Sequence, residues 1–298
     1  MHYHFRHQEN ELTISILFNM EAQTQNFKKI ETDPLTLDVF NASENSFGVA
    51  SVIVAGKSDA VLIDAQFTLA EAEAVAHRVK QSGKKLTTIY ISHGDPDFYF
   101  GLEVFKKYFP EVTAYATPAT IEHIKATAQK KLEVWGGRLG KAITSNVVLP
   151  QVLPGNSIDL EGQKLEIIGL DEFPAKTFVW IPSIKTVLGG IHVFGDTFNL
   201  WMADAQTPEA RKKWISILDK ITALQPNVII PAHANNKAAF NLNSVKHTKE
   251  YLLFYEEALK TNTTSESLIN TIKAKYPALT FDIALQIGAK VNTGEMKW

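Results

Sequence analysis

No cysteine occurs in the 298 residues. That excludes a disulfide framework, a cysteine nucleophile and any thiolate metal site, and it leaves the redox compartment open. Charge of one sign is missing as well: 30 Lys and Arg stand against 32 Asp and Glu, a formal net charge of -2. With no like-charge run, neither a nucleic-acid surface nor a polybasic membrane anchor has support. No apolar run approaches the roughly 20 residues that span a bilayer. The chain starts MHYHFRHQENELTISILFNM, without a Lys/Arg-led leader. Its one greasy run, Ile14 to Phe18, is shorter than the ~7–15 residues of a signal core. A soluble, cytoplasmic protein without nucleic-acid or membrane partners is the expectation. What is present, 45% hydrophobic and 21% charged residues, is the composition of an ordinary globular chain.

Repeats, low-complexity tracts and Pro/Gly-rich linkers are also lacking. One compact α/β domain with a helical tail is therefore expected rather than two units: an N-terminal extension or peripheral strand over 1–33, a main domain over 34–240 and a helical tail over 241–298. SFGVASVIVAG (46–56) and DAVLIDA (59–65) are β-branched runs around a turn, a hairpin signal. Thr68 and Glu71 form a capping box ahead of an amphipathic helix that stops at Gly83. LTTIYIS (86–92) and VTAYA (112–116) read as strands, with a short helix over 99–109 between them. Thr117-Pro118 and Thr207-Pro208 open further helices. QKLEIIGL (163–170), KTFVWIP (176–182), KTVLGG (185–190) and PNVIIPAH (226–233) read as strands, and the pattern from Asn243 is helical with breaks near Thr261 and Pro277.

The chemistry-bearing stretch is Ser92-His93-Gly94-Asp95-Pro96-Asp97-Phe98, directly after a hydrophobic strand. Loops at the carboxyl ends of buried strands are where α/β sheets place ligands. An imidazole and two carboxylates at alternate positions can converge on one point, and that donor mixture suits Zn, Mn or Fe.

In order along the chain, VLIDA, a helix, YISHGDPDFYFGL and, much later, PAHA resemble the metallo-β-lactamase superfamily over about residues 38–235. That family's first motif is HxHxDH with a glycine shortly after, preceded by a strand ending in Asp. Here Asp64 matches the strand aspartate, His93 the first histidine, Asp97 the motif aspartate, Gly101 the glycine and His233 the last histidine. FVWIPSIKTVLGG (178–190) resembles the strand pair after the third metal histidine. The resemblance implies a four-layer αββα sandwich. Asp95 stands for the second histidine, Phe98 for the adjacent one, Glu172 or its neighbour Asp171 for the third, and Ile191 for the bridging residue.

Carried over, these matches imply one divalent metal per chain (Zn, Mn or Fe) held by His93, Asp95 and Glu172, with Asp97 and His233 left from a crippled second site. Asp97 would then act as general base and His233 would orient the substrate or stabilise developing charge. Asp64 would hold the motif loop in shape. Phe98, Phe198 and Trp201 are placed where relatives line the mouth, and Asn199 could hydrogen-bond a substrate there. The expected activity is metal-dependent hydrolysis of a small ester, lactone, thioester or amide. The alternative is a non-catalytic metal- or ligand-binding member with a degenerate site. A homodimer is compatible with either. His77, His123 and His247 lie in helical patterns and read as surface residues. His2, His4 and His7 form a loose terminal cluster that would take up metal adventitiously.

Overall fold

A computed structural model describes residues 26–298; the expectations for the apolar run Ile14 to Phe18 and the cluster His2, His4 and His7 lie outside the described residues. Among the described residues twelve strands form two sheets. The first runs β1 (Phe27–Thr32), β2 (Leu35–Asn41), β3 (Ala50–Ala55), β4 (Asp59–Ile63), β5 (Lys85–Tyr90), β6 (Thr113–Ala116) and β7 (Gln151–Val152), each hydrogen-bonded to the next. It is antiparallel up to β4 and parallel from β4 to β7. The second sheet is ordered β12 (Val228–Ile229), β11 (Thr186–Leu188), β10 (Phe178–Ile181), β9 (Gln163–Ile168) and β8 (Ser157–Leu160), with only β11 and β12 parallel.

Side-chain alternation divides these strands between two cores. On β3, Val52 and Val54 enter the core between the sheets, while Ile53 and Ala55 point to the helical side. On β10, Val179 and Ile181 face the first sheet, and Phe178 and Trp180 face outward. The helices covering the outer faces are α1 (Leu69–Ser82), α2 (Pro96–Tyr99), α3 (Leu102–Tyr108), α4 (Pro118–Leu139) and α5 (Pro208–Ala223). On α1, Ala72, Val75, Ala76 and Val79 make one buried stripe at helical spacing. Its start is fixed as the capping box predicts, with the Thr68 hydroxyl accepting from Glu71 N–H and Gly83 closing it at φ 68°. The chain is thus a mixed α/β sandwich with a sheet-on-sheet interior and helical outer layers.

Residues 27–32, expected as part of an extension or a peripheral strand, pair with 35–41 as an edge hairpin. One boundary differs from the sequence reading. The expected helix over 99–109 is two pieces, α2 and α3, because the chain kinks at Phe100-Gly101. The tail is helical: α6 (Leu242–Leu259), α7 (Ser265–Lys275) and α8 (Asp282–Asn292). Arg211, 4% exposed, ties it down by pairing with Glu256 and donating to Ala205 O and Asn292 Oδ1. No helix among the described residues is long and apolar enough to cross a membrane.

The kink positions the motif. Gly101 N–H donates to Gln66 O, and Ala65 N–H donates to Phe98 O, so α2 and α3 sit directly on the loop after β4. A Cβ at Gly101 would fall 1.9 Å from Ala65 O and 2.6 Å from Ala72 Cβ. Gly101→Ala should therefore lower unfolding free energy by about 1–3 kcal/mol, the usual cost of overpacking, read by chemical denaturation; an unchanged midpoint would contradict this packing.

Candidate functional site

The motif begins where β5 ends. Asp64, at φ 62° after β4, accepts from Ser92 N–H (2.8 Å) and Ser92 Oγ–H (2.7 Å). Ser92 Oγ in turn accepts from Gly190 N–H (2.7 Å). Asp64 thereby fixes the backbone one residue before His93 and couples it to the end of β11. Phe47 and Gln66 also adopt positive φ, at 64° and 75°. Left-handed non-glycine residues are rare and persist where surrounding contacts over-determine them; Gln66 Nε2 donates to Val49 O and Ser51 Oγ.

Two polar pairs follow from this frame. In the first, His93 Nδ1 accepts from Asp95 N–H (3.2 Å) and lies 3.6 Å from Asp95 Oδ2. Burial pushes His93 down to about 3, so its imidazole is neutral at pH 7. Asp95 Oδ1 accepts from Lys131 Nζ (3.1 Å), and His123 Nε2 approaches to 3.8 Å. Burial works to raise the Asp95 carboxyl, but His93, His123 and Lys131 outweigh it and hold it below the ordinary carboxylate value. His123 is exposed, as expected from sequence, and its ring lies beside the motif loop, where a Cβ at Gly94 would meet it at 2.5 Å.

In the second pair, His233 Nε2 stands 3.5 Å from Asp97 Oδ2. His233 Nδ1–H donates to Phe47 O (3.0 Å), which fixes the tautomer and leaves Nε2 with its lone pair. Burial pushes His233 down to about 4, while burial and then the Asp95 charge raise Asp97 well above its ordinary value. Phe98 separates the pairs, its ring 5.1 Å from His93 and 5.7 Å from His233.

The expected ligand set does not assemble. Glu172 and Asp171 are exposed, and Glu172 pairs with Lys220. Among the described residues no three His, Asp or Glu side chains converge to hold a metal ion. The donor chemistry agrees: the free lone pair of neutral His93 is taken by Asp95 N–H, and Asp95 is engaged by Lys131. The residues present do not fit the divalent metal that the resemblance implies.

The pocket residues are also redistributed. Phe98 and Phe198 are fully buried rather than at a mouth. Asn199 is structural: Nδ2 donates to Thr280 O (2.9 Å) and Oδ1 accepts from Tyr251 O–H (3.3 Å). Trp201 does line a cavity of about 320 Å³, with Phe173, Ile191, Phe194, Trp214 and Ile217. Phe194 stacks on His233 with centroids 5.0 Å apart, so the Phe194 ring stands between this cavity and His233, and neither His233 nor Asp97 lines it. His192, whose Nε2–H donates to Lys176 O, and Lys176 itself also line it. Sequence reasoning missed Lys131, Lys176, Phe281, which stacks on His233 at 6.0 Å, and Trp298, whose Nε1–H donates to Asp204 Oδ1 (2.6 Å). Only the order of the strands, which brings Lys176 opposite His93 as a β-bridge, carried any signal of them.

Comparison with known proteins gives one family. The metallo-beta-lactamase superfamily profile matches residues 45–233. The chain resembles the crystal structure of DIM-1 metallo-beta-lactamase (17% identity, TM-score 0.51, covering 76% of this chain and 97% of that one). It also resembles metallo-beta-lactamase IND-7 (18%, 0.56, 76% and 98%) and a metallo-beta-lactamase from Pontibacter korlensis (17%, 0.51, 76% and 99%). At such identities these likenesses show the fold alone. No curated protein is matched by the chain.

Burial gives two buried groups opposite linkage signs. His192 titrates near about 4 when folded, against 6.5 otherwise, burial being the cause. The unfolded chain thus takes the proton first, and stability that is whole above pH 6.5 is lost as pH falls through about 4. Asp64 is pushed up to about 7 by burial, from 3.8, so its contribution is whole below pH 3.8 and lost as pH rises through about 7. Chemical denaturation across pH should show wild type losing ground to His192→Phe as pH falls, and to Asp64→Asn as pH rises. Parallel curves would contradict the burial assigned to either group.

Proposed function

The chain belongs to the metallo-beta-lactamase superfamily, and from that premise we propose that it hydrolyses a small ester, lactone, thioester or amide with Asp97 and His233 as one proton-handling pair. The superfamily is one of metallo-hydrolases that typically bind divalent metals, which supports hydrolysis as the reaction class. In this reading Asp97 and His233 carry the proton transfers.

The observation that carries the reading is the approach of His233 Nε2 to Asp97 Oδ2 at 3.5 Å, with Nδ1 committed to Phe47 O. The pair holds one proton at rest. As that proton moves onto Nε2, the Asp97 carboxylate takes a proton from a water attacking the substrate carbonyl, and the new C–O bond forms. The Phe47 carbonyl faces the resulting imidazolium. When the C–O, C–S or C–N bond to the leaving group breaks, the Asp97 carboxyl returns a proton to it and the pair is restored. The cavity beside Phe194 suits a small apolar substrate, since small-molecule sites are mostly apolar clefts with a few polar groups.

One observation favours a second reading, a ligand-binding member without turnover: Asp95 is already engaged by Lys131. The two readings separate on a panel of esters, lactones, thioesters and amides, assayed alone and with Zn, Mn or Fe. Hydrolysis predicts turnover of some member and a fall in kcat of about 100-fold or more in Asp97→Asn. Thermal stabilisation by panel compounds with no turnover in any condition would replace it by the binding reading.

A further inference from the structure

We infer that Lys131 is the resident cation of this site, its ammonium holding the place at Asp95 that a divalent ion would otherwise take. The contact is direct, with Nζ 3.1 Å from Oδ1, and sheltered, with the Lys131 side chain 26% and the Asp95 side chain 16% exposed. Lys131 reaches inward from α4, whose buried face carries Thr120, Ile121 and Ile124, and its ammonium lies 5.9 Å from the Trp298 ring centroid. A lysine that only decorated a solvated helix face would not be held between a motif aspartate and an aromatic ring.

Charge balance points the same way. The Lys131 ammonium lies 3.1 Å from Oδ1 of the Asp95 carboxylate, so this pair closes to zero without any further ion. His123, at 3.8 Å from the same Asp95 oxygen, crowds the remaining approach. Lys176 adds a second positive charge felt by His93, His192 and Asp204. A divalent ion beside Asp95 would face the Lys131 ammonium, 3.1 Å from the same carboxylate, where like-charge repulsion is strong. The donors for an ion are not all lost, however. Without the Lys131 ammonium, Asp95 would stand free beside the His123 imidazole, 3.8 Å from its Oδ1, a carboxylate and an imidazole of the kinds that bind zinc. Lys131 fills this place in the ground state of the site, whether or not the chain turns over a substrate.

The test is zinc binding by the full chain, with His2, His4 and His7 each replaced by Asn so that the terminal cluster takes up no ion. Elemental mass spectrometry after dialysis against zinc should find well below one zinc per chain in this background. Lys131→Met, which keeps the apolar stem, should bind zinc on the order of tenfold or more tightly, read by competition with a zinc dye, and the gain should vanish in Lys131→Met with Asp95→Asn. Lys131→Arg keeps the charge and should exclude zinc as the background does. One zinc per chain in the background, lost on Asp95→Asn, overturns the inference. So does Lys131→Met binding zinc no better than the background, or Lys131→Arg binding it as well as Lys131→Met.

Discussion

Three aspartates, Asp64, Asp95 and Asp97, crowd the carboxyl ends of the parallel strands, and each must have its charge answered without bulk water. Burying a carboxylate alone is costly enough that it protonates or finds a partner. The chain answers each differently. Asp64 receives the N–H and hydroxyl of Ser92, Asp95 receives Lys131, and Asp97 faces the His233 imidazole at 3.5 Å. Much of the local architecture serves these three answers, from the left-handed residues around β3 and β4 to the reach of α4 across the motif.

The sandwich supplies what the answers need, which is rigidity. Ser92 is tied to β4 through Asp64 and to the end of β11 through Gly190, so the motif loop is stapled to both sheets. His233 is held by Phe47 on one side and stacked between Phe194 and Phe281. Phe281 comes from the start of α8, so the C-terminal helices complete the surroundings of His233 and are not an appendage. The neutral state of both histidines follows from this enclosure, since desolvation disfavours their charged forms.

Strand periodicity, the capping box at Thr68 and the Thr-Pro helix starts are legible in the sequence because each rests on contacts within a few residues. The motif loop is legible for the same reason: a buried strand running into His93, Asp95 and Asp97 is a local pattern. Glu172 matches the third histidine by sequence position, but Phe173 N–H bonds back to Gly169 O and the chain turns there, leaving Glu172 exposed and paired with Lys220. Lys131 is invisible because it sits in a helix rich in Lys and Glu, where one inward lysine looks like its solvated neighbours. Phe98 and Asn199 fit a binding mouth by sequence position alone, but the packing of Phe98 between two imidazoles and of Asn199 against Thr280 depends on partners distant in sequence.

How Asp95 is neutralised decides the character of the whole site, and the direct view of it is a crystal structure of the full chain grown with zinc, with diffraction collected across the zinc absorption edge. Lys131 Nζ should lie within hydrogen-bond reach of Asp95 Oδ1, with no anomalous peak between Asp95, His93 and His123. An anomalous peak bound there, with Lys131 turned away, would contradict the assignment of Lys131 as the cation of this site.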